Sequence, residues 1–382
     1  MVAIFQNVSN MAAPAPFEDA IGDKERLLKT ADHKRSPSPW RWPKRYLRSF
    51  RLKKVTLCLL LIDILIVVLL VRTLEPLITL LRRNEELFGP RVELSQHSAP
   101  TEASHARPDH HKIPRILHQT CANDTIPEKW IQSQRSCMKA YSDFEYKLWT
   151  DESAHNFLAS EYPWFVDDWD NYAFPIQRAD AIRYFVLHHY GGIYLDMDTW
   201  CNETFPLDQI ESDKTPHNAL FKSTLPTGVT NDFMIASARH PAYAAAISKL
   251  PFYYRITRFW AKLQPYCNIM VSSGPMFLTL VVKDYLLEQP SVPSATVQVV
   301  NATQLAPFIT DLESSSWHQS DAHILMWLGI RPWTWFSMGA IGVLAGLYLI
   351  DVTLLTICEA IRRRLKAQRH KHDAELGCAD LW

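Results

Sequence analysis

Apolar residues are distributed along this chain in three ways: two unbroken runs, alternating short stretches between them, and few at either end. From Val55 to Val71 the sequence reads VTLCLLLIDILIVVLLV, with one acid, Asp63. As a helix this run is close to the length that crosses about 30 Å of hydrocarbon. The second run, Trp333 to Cys358, is rich in Trp, Leu, Ile and Gly and carries one acid, Asp351. Both are predicted to span a membrane, the alternative for the second being a buried helix. A cleaved secretory signal sits at the extreme N-terminus and ends in small residues, whereas the first run leads into Arg72, Leu74 and Glu75 and reads as an uncleaved anchor.

Basic residues set the orientation. Arg41, Lys44, Arg45, Arg48, Arg51, Lys53 and Lys54 precede the first run, and Arg362, Arg363, Arg364 and Lys366 follow the second. By the positive-inside rule both ends face the cytosol, and the block between the spans lies across the membrane. The predicted organisation is a disordered basic tail over 1–50, an anchor over 55–72, a juxtamembrane stem over 73–111, a lumenal domain over 112–323, a second span over 333–358 and a basic tail over 359–382. Pro14, Pro16, Pro37, Pro39 and Pro43 keep the first tail from forming regular structure, and Pro100 and Pro108 do so in the stem. Asp63 and Asp351 are costly at membrane depth, which points either to a partner helix or to a position near the interface.

Within the middle block strands and helices alternate. Strands are expected in KIPRILHQT and at Tyr146–Trp149. A helix with Pro near its first turn is expected over Pro127–Ala140, and Asp151 is expected to cap the helix carrying Ala154, Phe157 and Leu158. Alternation of this kind predicts an α/β fold. The stretch Arg178–Cys201, RADAIRYFVLHHYGGIYLDMDTWC, reads as helix, stop, strand and acidic loop. Ala179, Ile182, Val186 and His189 can share a helical face, Gly191 and Gly192 end the helix, and Ile193–Leu195 form a short buried strand. Asp196 and Asp198 then leave the C-terminal end of that strand, where open α/β sheets bind ligands. Their hard oxygens suit Mg²⁺ or Mn²⁺ carrying a diphosphate. Alone, D-x-D also describes ordinary solvated turn acids. Asp180 and Arg183, one helical turn apart, add an acid for sugar hydroxyls and a guanidinium for phosphate or sugar oxygens; the plainer reading is a surface ion pair.

Composition changes the picture at few points. Lys plus Arg and Asp plus Glu each total 40, so no global field gathers nucleic acid. Cys121, Cys137, Cys201 and Cys267 all fall in the middle block, where they can form two disulfides with three connectivities or remain reduced in the core. Sequons stand at Asn123, Asn202 and Asn301 in that block and at Asn7 in the tail assigned to the cytosol.

Taken together, IPRILHQT, DAIRYFVLHHYGGIYLDMDTWC, NDFMIASARHP, SSGPMF and SSWHQSDA resemble the DXD-containing glycosyltransferases of family 32, over roughly residues 112–323. Two membrane segments around such a block most resemble the fungal inositolphosphoceramide mannosyltransferases. The resemblance implies a GT-A type, Rossmann-like domain flanked by two transmembrane helices. It also implies a Golgi membrane location, Mn²⁺ (or Mg²⁺), and a retaining transfer of mannose from GDP-mannose to inositolphosphoceramide, with a possible membrane regulatory subunit. Carried over by position, Asp198 binds the metal, Asp196 contacts ribose, sugar or metal, and Asp180 with Arg183 holds the transferred sugar. His118, Gln119 and Thr120 line the nucleotide pocket, Asn231 and Asp232 approach sugar or acceptor, and Gly274 and Pro275 form a turn near the donor. His318 completes the metal shell, with Ser316 and Trp317 near the diphosphate. Cys121 departs from the pattern, since many relatives carry a tryptophan after the His-Gln pair, which puts the base-stacking contact in doubt. A glycan on Asn202, just past the acidic loop, would obstruct the crevice, so that sequon is expected to stay unused. The competing readings are a Golgi transferase that extends protein-linked glycans and a non-catalytic membrane scaffold.

Overall fold

The structure is a computed structural model that describes residues 54–90, 92, 94, 111–212, 214–291, 294–312, 320–329 and 331–379. The tail over 1–50 and residues 91, 93 and 95–110 of the predicted stem lie outside the described residues. The chain divides into two units, Met1–Cys58, described only for the start of a helix, and Leu59–Trp382, which holds the features that follow.

The first apolar run lies in helix α1 (Lys54–Phe88), which continues through the first part of the predicted stem. Periodicity explains the difference. Leu77, Leu80, Leu87 and Phe88 recur at helical spacing, and Leu80, Leu87 and Phe88 are buried in the core, whereas Leu60, Leu61, Leu65 and Val68 stay exposed. Asn84 Oδ1 accepts hydrogen bonds from the Thr227 hydroxyl at 2.6 Å and the Gly228 amide at 2.9 Å, tying the end of α1 to the domain.

The domain then follows in chain order. Strand β1 (Ile116–Thr120) leads to α2 (Glu128–Ala140), β2 (Glu145–Trp149), α3 (Asp151–Glu161), α4 (Val166–Asp170) and α5 (Pro175–Tyr190). Next come β3 (Gly192–Leu195), β4 (Thr199–Cys201), β5 (Ala219–Ser223), β6 (Val229–Ala236), α6 (Pro241–Thr257), α7 (Pro265–Ser272) and α8 (Pro275–Leu287). The chain closes with β7 (Val297–Val300), α9 (Ala302–Leu305), β8 (Ile309–Asp311), α10 (Ser320–Gly329) and α11 (Pro332–Ala379). Helix α11 contains the second apolar run and extends through most of the region predicted as a tail.

A 6-stranded sheet has the order β2-β1-β3-β6-β5-β7, and β4 pairs with β8 in a separate ribbon. Strand β1 is parallel to β2 and β3, β6 is antiparallel to β3 and β5, and β7 is parallel to β5. The fold is therefore mixed α/β. Alternation along the central strands fills two apolar layers: Ile193, Leu195, Phe233 and Ile235 face one cluster, Tyr194, Met234 and Ala236 the other. Helix α5 is buried all round over Asp180–Leu187, so the single face expected for it is not its distinguishing feature; of the four positions expected on that face, Ala179 and His189 lie outside this stretch and are only partly buried. Gly191 ends α5 at φ 69°, and Gly192 begins β3 at φ 96°. A Cβ at Gly192 would stand 2.5 Å from the Ile116 carbonyl oxygen, closing the gap through which β1 and β3 pair.

Among the described residues three segments are long and apolar enough to cross a membrane: Leu57–Phe88, Pro265–Leu287 and Trp333–Arg369. The middle one comprises α7 and α8, broken at Ser273–Gly274 and largely packed inside the domain; the other two have fully unburied apolar windows.

Candidate active site

The C-terminal ends of β1 and β3, the start of β6 and one face of α5 meet around a cavity of about 670 Å³. Asp180 and Arg183 line it from α5, Asp196 and Asp198 from the loop after β3, Asn231 and Asp232 from β6, and Thr120 and Pro275 from β1 and α8. Arg183 is 2% exposed and occupies a closed set of acceptors. Its Nη1 donates to the Asn231 carbonyl at 2.6 Å and lies 3.2 Å from Asp196 Oδ1. Its Nη2 stands 3.1 Å from Asp180 Oδ1, its Nε donates to the Ala179 carbonyl, and the guanidinium lies 4.7 Å from the Tyr194 ring centre. Burial opposes its charge, but Asp196, Tyr194 and Asp180 outweigh burial and raise its pKa, so the cation is permanent. Asp180 also accepts from Asn231 Nδ2 at 2.9 Å, and burial raises its pKa against the pull of Arg183.

Asp196 stands where the buried set opens into the cavity. Tyr194 Oη donates to its Oδ1 at 2.8 Å. Burial is the largest influence on this carboxyl; Arg183 draws its pKa down, Asp198 and Asp232 push it up, and it settles at about 7. A second charged group closes the far wall, where Lys222 Nζ reaches Asp232 Oδ2 at 2.5 Å and Asp311 Oδ2 at 3.2 Å. Burial disfavours the Lys222 ammonium, but its two carboxylates raise its pKa. Neither Lys222 nor Asp311 was expected from sequence: they sit on β5 and β8, far along the chain, and only the fold brings them to the acidic loop. Trp130, Trp149, Trp169 and Met326 are further cavity-lining residues that no motif pointed to, and the buried Trp130 Nε1 finds no hydrogen-bond partner among the described residues.

Other expected positions fall elsewhere. His118 is fully buried in β1: its Nε2 donates to the Gly191 carbonyl at 2.8 Å and its Nδ1 accepts from Trp149 Nε1 at 3.0 Å. Desolvation lowers its pKa to about 4, so it is a neutral core imidazole that does not line the cavity. Gln119 is likewise buried and accepts from Tyr146 Oη. Only Thr120, at the end of the strand, reaches the cavity, because β1 is covered on both faces by sheet neighbours and helices. Gly274 lies behind the cavity wall, where a Cβ would come 3.4 Å from Asp180 Oδ2. Ser316, Trp317 and His318 lie outside the described residues. Helix α3 is capped by the Thr150 hydroxyl, which accepts from the Ser153 amide, and not by Asp151, the first helical residue.

One disulfide, Cys137–Cys201, joins α2 to β4 directly beyond the acidic loop. Cys121, which lines the cavity, and Cys267 are free.

A family model for the glycosyltransferase sugar-binding region containing the DXD motif matches residues 127–217, the segment that carries Asp180, Arg183, Asp196 and Asp198. Mannosyl phosphorylinositol ceramide synthase SUR1 of Saccharomyces cerevisiae is 39% identical over 225 residues, covering 58% of this chain and 56% of that protein. Inositol phosphoceramide mannosyltransferase 3 of Schizosaccharomyces pombe is 37% identical, covering 59% and 61%. Inositol phosphoceramide mannosyltransferase 1 of the same yeast is 32% identical over 272 residues, covering 69% of this chain and 80% of that protein. The chain belongs to the family of the inositol phosphoceramide mannosyltransferases. It spans between half and two thirds of the length of the first two of these relatives.

The donor set of this family member fits a hard divalent cation. Three carboxylates, those of Asp196, Asp198 and Asp232, border the same space, and the buried Asp232 Oδ1 finds no hydrogen-bond partner among the described residues. Among those residues no three His, Cys, Asp or Glu side chains converge closely enough to hold a metal by themselves. A cation here would complete its shell with substrate oxygens or with residues outside that set.

Proposed function

We propose that this chain is a membrane-integral, metal-dependent glycosyltransferase of GT-A type that moves mannose from GDP-mannose to inositolphosphoceramide with retention. The observation that carries this reading is the meeting of Asp180, Arg183, Asp196 and Asp198 on one cavity wall, within the segment that matches the DXD region. Relatives bearing the names of sphingolipid mannosyltransferases support the choice of sugar and acceptor.

Asp198 and Asp196 would hold Mn²⁺ or Mg²⁺, with His318 completing the set by the family resemblance, and such an ion would supply positive charge to neutralise the leaving diphosphate. Asp180 accepts hydrogen bonds from the sugar hydroxyls, and Asn231, whose Nδ2 donates to Asp180 and Tyr184, holds that carboxylate in place. Arg183, held rigid by its four partners, places fixed positive charge beside the departing phosphate oxygens without reorganising during the reaction. Thr120, Ser316 and Trp317 border the nucleotide, and Asp232 and Pro275 the sugar end.

The unburied apolar windows of α1 and α11 anchor the domain from both sides in sequence, with the domain lumenal, both termini cytosolic and the Golgi membrane as the site. Asp63 and Asp351 each keep a carboxylate oxygen that finds no partner among the described residues, which suits a regulatory membrane subunit packed against these helices.

The test is transfer of radiolabelled mannose from GDP-mannose to inositolphosphoceramide in membranes carrying the chain, with Mn²⁺, with EDTA and with Asp198→Ala. Metal-dependent product that disappears in the variant is the expected result. No product, even with a partner subunit supplied, overturns the assignment of donor and acceptor.

A further inference from the structure

The surface from Phe252 to Leu263 inverts the usual arrangement of a helical segment. Leu250, Tyr254, Thr257 and Ala261 point into the domain and are buried. Phe252, Ile256, Phe259 and Leu263, at helical spacing on the opposite side, are 53%, 42%, 78% and 80% exposed, and Trp260 beside them is 40% exposed. Soluble surfaces rarely gather so many large apolar side chains in one place without a partner. Arg255, Arg258 and Lys262 are interleaved with them and exposed. Asp168 of α4 faces this cluster: burial raises its pKa against the pull of Arg255 and Arg258, and its carboxyl, when ionised, offsets part of their positive charge.

The patch also has a position. The 3₁₀ turn Arg258–Trp260 packs on α7, and α7 packs on α10, where the Tyr266 amide donates to Asp321 Oδ2 at 2.8 Å. Helix α10 in turn presents Ile324 and Trp327 outward, and Arg331 stacks 4.2 Å from the Trp327 ring centre. Directly after it α11 begins with exposed Trp333, Trp335 and Phe336 and continues as a helix apolar enough to cross a membrane. Exposed aromatic and aliphatic side chains therefore stand on both sides of α7, at residues 252–263 and from α10 to the start of α11, and aromatic residues mixed with Arg and Lys are the composition favoured at the boundary of headgroups and acyl chains.

We propose that residues 252–263 form a membrane contact beyond the two spans, docking their apolar side chains into an anionic bilayer surface next to the point where α11 enters it. The interleaved cations match anionic headgroups in the leaflet on the domain's own side, and packing through α7 and α10 sets the patch near its level. Met326 of α10 lines the cavity, so docking brings that side of the cavity toward the headgroups. This last consequence rests on the lipid-acceptor reading; the docking itself does not.

The test is hydrogen exchange of the full chain in nanodiscs, which reads no transfer activity and so can fail independently of the proposed reaction. Amides of residues 258–264 are expected to exchange several-fold more slowly in discs containing phosphatidylserine than in discs of phosphatidylcholine alone. That protection is expected to vanish in Phe259→Ser/Leu263→Ser and in Arg258→Glu/Lys262→Glu, with β3 and β6 protected as before. Equal exchange in the two kinds of disc overturns the proposal, as does protection that grows with the number of chains per disc, which would assign the patch to a second copy.

Discussion

Arg183 is held by so many acceptors that its replacement by Ala and by Lys should fail in different ways. Arg183→Ala leaves Asp180 buried without its cation, and breaking a buried pair from one side costs about 3–5 kcal/mol, so a lower unfolding temperature is expected alongside lost transfer. Arg183→Lys keeps the charge but loses the planar fork that serves Asn231, Asp196 and Asp180 together. That variant should fold and lose roughly 10²–10³-fold in kcat/KM, the scale of removing one preorganised donor. Asp196 gives a second prediction at this scale. Its folded pKa, about 7, lies above the ordinary 3.8, so the stability it contributes is complete below 3.8 and is lost as pH rises through about 7. Because a metal must displace that proton, Mn²⁺ affinity measured by calorimetry should rise by up to about tenfold per pH unit below pH 7 and level off above it. An affinity flat across that window would remove Asp196 from the ligand set. His118 shows where single residues mislead: a histidine at a strand end near an acidic loop looks like a ligand, yet its two ring nitrogens are spent on Gly191 and Trp149 inside the core. Alternation along β1 cannot reveal this, because both faces of that strand are covered.

Among elements, the helix, glycine stop, strand and acidic loop of residues 178–201 were readable because two successive glycines follow the helical stretch and the short apolar run after them ends at two aspartates. The length of α1 was not: Leu77, Leu80 and Leu87 score alike in hydropathy whether they face lipid or the domain core, and only contact with the domain decides. Lys222 and Asp311 escaped for a similar reason, since strand pairing and the β4–β8 ribbon, not spacing, bring them to Asp232. Four cysteines likewise left the pairing open. The observed bridge closes a sequence separation of 64 between α2 and β4, for which loop entropy predicts about 4 kcal/mol, within the usual range of about 2–5 kcal/mol for a native disulfide. Cys137→Ser/Cys201→Ser should therefore lower the denaturation midpoint by that order. Because β4 directly follows Asp198, the variant should also weaken metal binding; a variant with full stability would mean the bridge does not form in the cell.

For the whole molecule the orientation reading makes the strongest demand, and the sequons test it without reference to catalysis. If residues 1–54 and the end of α11 lie in the cytosol, as proposed from their basic flanks, Asn7 should carry no glycan while the domain sequons meet the lumenal transferase. The fold then discriminates among those three. Asn202 donates its Nδ2, the atom a glycan would occupy, to the Ala306 carbonyl at 3.3 Å and the Thr310 hydroxyl at 3.1 Å. Asn301 is held as the N-cap of α9 by its bond to the Gln304 amide. Asn123 is exposed and uses only its Oδ1, accepting from the Thr125 amide within the turn before α2. Endoglycosidase treatment should increase gel mobility in the unmodified chain and in Asn202→Gln but leave Asn123→Gln unchanged. A shift that survives Asn123→Gln and disappears in Asn7→Gln would place the N-terminus in the lumen, and with it would reverse the side of the membrane on which the cavity meets its nucleotide sugar.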